Sequence, residues 1–388
     1  MNVLDLARPD IRALQPYSSA RMEASGGEVL LNANESPCPP FEAAGAVNRY
    51  PDPQPAALVE ALASLYGVSA ANVLVGRGSD EAIDLLVRAF CRAGQDAVLI
   101  QPPTFGMYAV CARIQGADVI EVPLDAHFAL DVDALLAALT PAVKLVFVCS
   151  PNNPSGRAVP REAIERLARA LAGRALLVVD EAYVEFAEAG SVVDLLPRHP
   201  HLAVLRTLSK AWALAGARVG ALLADPAVIE LLRRIMPPYP LPTPCVELAL
   251  RALAPESRAQ TAARIAQIRA MRTRLAQALA TLPGVTAVLP SEANFLAVRF
   301  ADAGEAYRRL RQAGIVVRDV RRYPGLGDAL RISIGTPEEN ERVLAALASG
   351  QATGDAADSS KHASAADRAA AERTTVTTGS PRAEQSPS

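Results

Sequence analysis

The sequence predicts an α/β fold in which helices cover a sheet, followed by a smaller α+β region. Through the middle of the chain, short continuous apolar runs alternate with helical patterns, and such runs are typical of strands buried on both faces. After Pro255 the pattern changes to a long helix rich in Arg and Ala. A chain of 388 residues is long enough to bury roughly three quarters of the surface that it exposes when unfolded.

The predicted strands of the first region are short apolar runs separated by helical patterns. They cover residues 97–100, 119–122, 145–149, 176–179, 203–205 and 219–223. Ser79 and Asp80 are residue types that cap the start of a helix, and apolar residues then recur at helical spacing as far as Phe90. Pro160 is predicted to lie in the first turn of another helix.

The second region carries a different set of elements. The pattern predicts a helix over residues 257–282, a strand over 294–299, a helix over 303–313, a strand over 315–319 and a final strand–helix pair. We therefore expect an N-terminal arm or part of the small domain at 1–48, a large domain at 49–255 and a small domain at 256–349. Residues 350–388 contain no Leu, Ile, Phe, Tyr or Trp, so a disordered tail is predicted there.

The composition excludes several classes of protein. Lys and Arg number 39 against 41 Asp and Glu, a net charge of −2 that offers no electrostatic footprint for nucleic acid or an anionic membrane. No apolar run approaches the ~20 residues of a membrane span, and no signal peptide is expected. The five cysteines form no CxxC pair and the four histidines no HExxH motif, so we expect no metal and a cytoplasmic protein with reduced thiols.

Lysine is rare in this chain, which makes each lysine a candidate for chemistry. The sequence has three, Lys144, Lys210 and Lys361. Lys210 follows a predicted strand in a turn lined by Ser and Thr, and Arg218 lies eight residues further on, with small residues between them. A lysine amine can lose its proton and form a Schiff base, and an arginine offers a forked cation for phosphate. The alternative interpretation is a solvated surface lysine.

Other polar residues follow other predicted strands. Asp180 ends one strand, and Asn153 lies in a Pro/Asn/Gly turn after another. Gly78 precedes a predicted helix, whose first backbone N–H groups can cradle a phosphate. Taken singly, Asp180 could be a helix cap and Asn153 part of an ordinary turn. A dinucleotide fingerprint is not favoured at Gly78, because Glu81 stands where that motif has its third glycine.

These residues occur in order on successive edges of the predicted sheet, together with the aromatic Phe105. Together they suit a ligand that is a phosphate-bearing aromatic aldehyde. They supply a phosphate cradle, an aromatic ring, an amide, an acid at the end of a strand, and a lysine followed by an arginine. The acid would meet a ring nitrogen, and the lysine would meet the aldehyde. The sequence therefore predicts a site for pyridoxal 5′-phosphate.

The chain resembles the fold-type I pyridoxal-phosphate-dependent aminotransferases and, within them, the histidinol-phosphate aminotransferases. The resemblance extends from about residue 6 to residue 347. It rests on the segments 14–21, 31–37, 49–52, 78–81, 151–154, 180–183 and 330–335. The resemblance implies a large domain with a mainly parallel seven-stranded sheet and a smaller α+β domain.

The resemblance also implies roles for individual residues. Lys210 matches the lysine that bonds to the cofactor aldehyde and moves a proton, and Asp180 matches the acid that keeps the pyridine nitrogen protonated. Asn153 and Tyr183 match the partners of the ring hydroxyl oxygen. Phe105 stands where the family stacks an aromatic residue on the ring face.

Further matched residues concern the two phosphates. The residues that match the cofactor phosphate cup are Gly78, Ser79, Asp80, Thr207, Ser209 and Arg218, with Asp80 expected to be structural. Tyr50 matches a tyrosine that reaches the cofactor phosphate of a neighbouring subunit, which implies a homodimer with shared sites. The residues expected to bind substrate are Tyr17, Asn34, Arg318 and Arg331.

The reaction implied by the resemblance is transamination of L-histidinol phosphate with 2-oxoglutarate in L-histidine biosynthesis. Arginine can bind the phosphate of the first substrate or a carboxylate of the second, so one site can serve both. Two alternatives stay open. One is an aromatic amino acid aminotransferase, and the other is a pyridoxal-phosphate-dependent decarboxylase of a phosphorylated amino acid.

Overall fold

The computed structural model describes residues 2–17, 29–42, 45 and 47–348. A seven-stranded sheet and a four-stranded sheet organise these residues. The disordered tail predicted at 350–388 lies outside the described residues. Within the described ranges, no helix has both the length and the apolar character needed to span a membrane.

The seven-stranded sheet occupies the first region of the chain. Its strands are β1 (Val73–Gly76), β2 (Ala97–Ile100), β3 (Asp118–Glu121), β4 (Val143–Cys149), β5 (Leu176–Asp180), β6 (Leu202–Thr207) and β7 (Gly220–Ala224). They lie in the order β1-β7-β6-β5-β4-β2-β3. Strand β7 is antiparallel to β1 and β6, whereas the other neighbouring strands pair in parallel. The prediction of a mainly parallel seven-stranded sheet is confirmed.

Apolar clusters lie on both faces of this sheet and bind the helices to it. The helices are α1 (Pro9–Ala13), α2 (Ala56–Tyr66), α3 (Ser79–Phe90), α4 (Met107–Gln115), α5 (Val132–Ala137), α6 (Arg161–Ala170), α7 (Pro226–Arg233) and α8 (Thr243–Ala252). In β5, Leu177 and Val179 belong to one cluster, and Leu176 and Val178 belong to the other. Burial on both faces is the reason why the central strands are apolar at successive positions.

The four-stranded sheet belongs to the second region. Its strands are β8 (Val285–Val288), β9 (Phe295–Phe300), β10 (Arg318–Asp319) and β11 (Ala329–Ser333), in the antiparallel order β10-β11-β9-β8. The helices are α9 (Pro255–Ala280), α10 (Ala303–Gln312) and α11 (Pro337–Ala348). Leu279, Leu310 and Val343 of these helices join Val298 of β9 in a third apolar cluster.

Three short strands differ from the sequence prediction. The strand expected at 315–319 is reduced to the two residues of β10, because this strand lies at the sheet edge and Val316 is exposed. Strand β8 was missed, since it lies at the opposite edge and half of its residues are exposed. Strand β1, which ends at a Gly-rich turn, was also missed.

The starts of two helices also differ from the prediction. Ser79 and Asp80 do not cap α3: the helix begins at Ser79, after Gly78, and no side chain caps its first N–H groups. The physical reason is that Gly78 has φ +80°, which turns the chain sharply into the helix. Pro160 directly precedes α6 rather than lying in its first turn.

Candidate active site

A cavity of about 490 Å³ opens at the carboxyl edge of the parallel strands, where sites in such sheets lie. The predicted residues that line it are Gly78, Ser79, Asp80, Phe105, Asn153, Asp180, Tyr183, Thr207, Ser209, Lys210, Arg218, Arg318 and Arg331. Most of them follow β1, β2, β4, β5 or β6, or directly precede β7. Arg318 and Arg331 come from β10 and β11, so both sheets contribute to the cavity.

Close approach of backbone to backbone shapes one side of the cavity. At Gly78, a Cβ atom would lie 3.0 Å from Nη2 of Arg218. At Gly220, the first residue of β7, a Cβ atom would lie 2.6 Å from the carbonyl carbon of Gly78. Glycine at both positions brings the uncapped start of α3 beside the Arg218 guanidinium. A helix N-terminus next to a guanidinium is a cup for an anion such as phosphate.

The Arg218 side chain is held by neighbours on both sides of this cup. Its Nη2 donates to Oδ2 of Asp80 at 3.2 Å, and its Nη1 donates to the carbonyl oxygen of Ala215 at 3.4 Å. The ion pair therefore gives Asp80 a contact that does not require it to touch a bound anion. Nearby, the backbone N–H of Ser209 donates to Oγ1 of Thr207 at 3.1 Å, which orders the turn that carries Lys210.

Asp180 is a buried acid at the end of β5, with 2% of its surface exposed. Its Oδ2 accepts a hydrogen bond from the Tyr108 hydroxyl at 2.7 Å, and its Oδ1 accepts one from the backbone N–H of Ala182 at 3.1 Å. Burial raises the pKa of Asp180 to about 6, although both hydrogen bonds oppose the shift. A buried carboxylate of this kind is poised to meet a cationic nitrogen of a ligand.

Lys210 extends into the cavity from the turn after β6. Its Nζ lies 5.6 Å from the centre of the Tyr183 ring. The protein around the amine removes part of its solvent, and the positive charge of Arg331 adds to this effect, so the pKa of Lys210 is lowered. A lowered pKa increases the fraction of Lys210 that is the neutral, nucleophilic amine at physiological pH.

Arg331 and Arg318 form a cationic end of the cavity. Arg331 lies directly opposite Arg318 in the antiparallel pairing of β11 with β10. Its guanidinium donates a hydrogen bond to Oδ1 of Asn153 and lies 5.1 Å from the centre of the Phe295 ring. Burial lowers the pKa of Arg331, and Arg318 contributes to that shift. Among the described residues, neither arginine forms an ion pair with a carboxylate.

Two aromatic residues, Tyr183 and Phe105, also line the cavity. Tyr183 is buried, and its ring packs edge-on against Phe295 with centroids 5.2 Å apart. Burial raises the pKa of the Tyr183 hydroxyl, which therefore stays protonated and can donate a hydrogen bond. Phe105 is half-buried and packs edge-on against Tyr108, with centroids 5.6 Å apart.

Three predicted site residues do not line this cavity within the chain. Tyr50 is half-exposed and stacks on Tyr239, with ring centroids 4.4 Å apart. Asn34 and Tyr50 line a separate surface depression. Tyr17 is 71% exposed. The contacts expected of these three residues therefore stay predictions.

Sequence reasoning missed several residues that line or support the cavity. Met107, Cys149 and Tyr323 line it, and Tyr108 contacts Asp180 behind it. Tyr108 lies at the start of α4, three residues after Phe105, and its aromatic side chain was the available signal. Cys149 is the last residue of the apolar strand β4, so the sequence pattern indicated a core residue rather than a site residue.

The comparisons with known proteins agree with this geometry. Residues 25–347 match the family described as aminotransferase class I and II, and the chain belongs to this family. A protein named histidinol-phosphate aminotransferase from Stenotrophomonas maltophilia is 59% identical, over 90% of this chain and 98% of its own length. One of the same name from Xanthomonas euvesicatoria is 54% identical, over 89% of this chain and 97% of its own length.

A solved structure extends the likeness to three dimensions. The histidinol-phosphate aminotransferase from Sinorhizobium meliloti, crystallised in complex with pyridoxal-5′-phosphate, superposes with a TM-score of 0.70 and 31% identity. The match covers 79% of this chain and 83% of that one. The prediction of an aminotransferase fold is therefore confirmed.

Proposed function

We propose that this aminotransferase uses pyridoxal 5′-phosphate to transfer the amino group of L-histidinol phosphate to 2-oxoglutarate. The products are imidazole-acetol phosphate and L-glutamate, and the reaction belongs to L-histidine biosynthesis. The observation that carries the proposal is the charge of the cavity. Among the described residues, its lining has four cationic side chains, which are Lys210, Arg218, Arg318 and Arg331, and two acids, Asp80 and Asp180. The lining is therefore suited to two anionic groups.

The residues present fit the cofactor. A Cβ atom at Gly78 would occupy the space beside Arg218, so the cup at the start of α3 is kept open for an anion such as the cofactor phosphate. The proposed phosphate ligands are Gly78, Ser79, Thr207, Ser209 and Arg218. Asp180 is the proposed partner of the pyridine nitrogen, and Asn153 and Tyr183 are the proposed partners of the ring hydroxyl. When bound, the cofactor supplies an electron sink for the bond changes of transamination.

The chain's own groups would bind and move protons around that cofactor. Lys210, with its lowered pKa, can hold the cofactor aldehyde and, once released, accept and return a proton. Asp180, when ionised, stabilises a protonated ring nitrogen. Phe105 would cover one face of the ring and exclude water from it. Asp80 is assigned to holding Arg218 rather than to the phosphate.

The second anion site is proposed to be the Arg318–Arg331 end of the cavity. A guanidinium binds phosphate or carboxylate with the same fork of N–H groups. The arginines can therefore hold the phosphate of L-histidinol phosphate in one half of the reaction and a carboxylate of 2-oxoglutarate in the other. Asn34 and Tyr17 are proposed as further substrate contacts.

We also propose a homodimer with shared active sites, in the cytoplasm. Tyr50 and Asn34 lie apart from the cavity of their own chain, so they are available to that of a second copy. The five cysteines are free thiols, which supports a reducing compartment. The domain limits that we propose are 49–255 and 256–349. They are supported by the position of α9, which begins at Pro255, after the last strand of the seven-stranded sheet and before the first strand of the four-stranded sheet.

The substrate is favoured over the two alternatives by the relatives at 54–59% identity, which are named histidinol-phosphate aminotransferases. The test is a comparison of donors with the purified enzyme. We expect glutamate to form from 2-oxoglutarate with L-histidinol phosphate, and more slowly or not at all with L-phenylalanine. Faster turnover of L-phenylalanine would contradict the substrate assignment. Release of CO₂ from O-phospho-L-threonine, without any need for 2-oxoglutarate, would contradict transamination.

A further inference from the structure

Tyr108 is a fully buried tyrosine whose hydroxyl contacts the acid of the site. The Tyr108 hydroxyl oxygen lies 2.7 Å from Oδ2 of Asp180, and 0% of the residue is exposed. Its ring stacks on Phe147 with centroids 4.7 Å apart and planes 7° apart. The same ring packs edge-on against Phe105, with centroids 5.6 Å apart. Packing on two sides therefore fixes the position from which the hydroxyl points at Asp180.

The direction of this hydrogen bond matters for the charge of Asp180. An ionised carboxylate only accepts hydrogen bonds, so the Tyr108 hydroxyl must donate to it. The backbone N–H of Ala182 donates to the other oxygen at 3.1 Å, so each carboxylate oxygen has one donor and keeps room for another. Burial favours the neutral acid, whereas these two hydrogen bonds favour the ionised carboxylate.

We propose that Tyr108 is a positioning residue that orients the Asp180 carboxylate and keeps it ionised, while its ring supports Phe105. This inference rests on the proposed function, because the role of Asp180 is defined by the cofactor. Tyr108 itself does not line the cavity and is placed behind both residues. Its effect should therefore reach the reaction through the three cavity-lining residues that it contacts, which are Asp180, Phe105 and Cys149.

The first test uses the apoprotein and needs no turnover. The variant Tyr108→Phe removes the hydroxyl and keeps the ring and its packing. Without this donor, the buried negative charge of ionised Asp180 loses a stabilising hydrogen bond. The loss of folding stability should therefore be larger at pH 8, where Asp180 is ionised, than at pH 5. We expect the fall in melting temperature to be about 2 °C or more greater at pH 8. An equal fall at both pH values would overturn the proposal.

Two comparisons isolate the hydrogen bond from other effects. Tyr66→Phe is the matched control, because the Tyr66 hydroxyl is also buried but has no hydrogen-bond partner among the described residues. It should show the same small change at both pH values. In an Asp180→Asn background, Tyr108→Phe should lose its pH dependence, because the acid is no longer present.

The other titratable groups that act on Asp180 are unchanged in the comparison. They are Lys210, Asp80, Cys149 and Tyr183. All four are present in the wild type and in every variant. Tyr108→Phe also removes a hydrogen bond to Cys149, but burial raises the pKa of that thiol, so it stays protonated at both pH 5 and pH 8. The remaining pH dependence belongs to the pair of Tyr108 and Asp180.

The second test uses the enzyme loaded with pyridoxal 5′-phosphate. Tyr108→Phe should lower kcat about tenfold, the equivalent of about one pKa unit at Asp180, and leave the KM for L-histidinol phosphate unchanged. The pH titration of the bound cofactor's absorption should shift with it. Unchanged kcat and an unchanged titration would overturn the proposal. If no variant binds the cofactor, the proposed function fails, whereas the apoprotein test still decides the role of Tyr108.

Discussion

Arg318 and Arg331 lie directly opposite each other on the antiparallel strands β10 and β11, and both line the same cavity. Two like charges in opposite positions of a sheet destabilise it. Neither arginine is paired with a carboxylate in the part of the chain that the structure describes. The arrangement therefore costs folding stability, and the anion that we propose for this site would offset the cost by binding both guanidinium groups.

The first prediction concerns this pair. Replacing either residue, Arg318→Ala or Arg331→Ala, should lower kcat/KM for L-histidinol phosphate by about 10- to 100-fold, because the proposed charge-assisted contact to the substrate phosphate is lost. Steady-state kinetics measure the effect. Arg322→Ala is the control, since Arg322 is an exposed neighbour outside the cavity and should change little. Equal losses in all three variants would mean that the effect is only one of net charge.

The second prediction concerns Lys210. Lys210→Ala should reduce turnover by about 10²- to 10⁴-fold or more, because the amine is the proposed cofactor link and proton carrier. The variant should keep its far-UV circular dichroism. Lys144→Ala is the matched control: Lys144 lies on β4 beside Asp96, with its Nζ 3.8 Å from the carboxylate, and should keep its activity. Wild-type turnover by Lys210→Ala would refute the assignment of the site.

The third prediction concerns the close approach of β7 to the anion cup. Gly220→Ala places a Cβ atom 2.6 Å from the carbonyl carbon of Gly78, so the cup must shift. We expect weaker binding of pyridoxal 5′-phosphate by at least about tenfold, together with a lower melting temperature. Gly216→Ala is the control, because a Cβ atom there meets nothing within 4 Å. Unchanged cofactor affinity in Gly220→Ala would show that the cup tolerates the displacement.

The fourth prediction follows from the raised pKa of Asp180. In the apoprotein this pKa is about 6, against 3.8 for an ordinary aspartate. Because the folded-state pKa is the higher one, the contribution of Asp180 to stability falls as pH rises from about 4 to about 6 and stays low above that range.

Asp180→Asn removes this charge. The melting temperature of the apoprotein variant, relative to wild type, should therefore rise between pH 5 and pH 8, by the equivalent of about 1.4 kcal/mol. Thermal unfolding at the two pH values measures it. The variant should at the same time lose catalytic activity, since the ring nitrogen loses its acid. A relative stability that does not change with pH would contradict the raised pKa.

The sequence was sufficient to predict the residues whose position follows from strand order. Asp180, Asn153 and Lys210 each follow a continuous apolar run, and parallel strands bring such ends to one edge. The bond between Tyr108 and Asp180 was not predictable in the same way. It joins residues 72 positions apart, and it depends on how α4 packs against the sheet.

Local signals also failed where tertiary contacts decided the outcome. Ser79 and Asp80 have the chemistry of helix caps, yet Gly78 turns the chain so that no side chain caps α3. The apolar residues before Arg318 suggested a longer strand, but the sheet edge provides hydrogen-bond partners only for Arg318 and Asp319. The pairing of Arg318 with Arg331 could be read only from the register of that edge.

The most direct test of the account is a half-reaction followed by absorption. The purified enzyme, loaded with pyridoxal 5′-phosphate, is mixed with L-histidinol phosphate and no keto acid. We predict that the visible band of the bound cofactor is lost, that a near-ultraviolet band replaces it, and that 2-oxoglutarate then restores the visible band. A visible band that L-histidinol phosphate leaves unchanged, in an enzyme that responds to another amino donor, would contradict the proposed substrate.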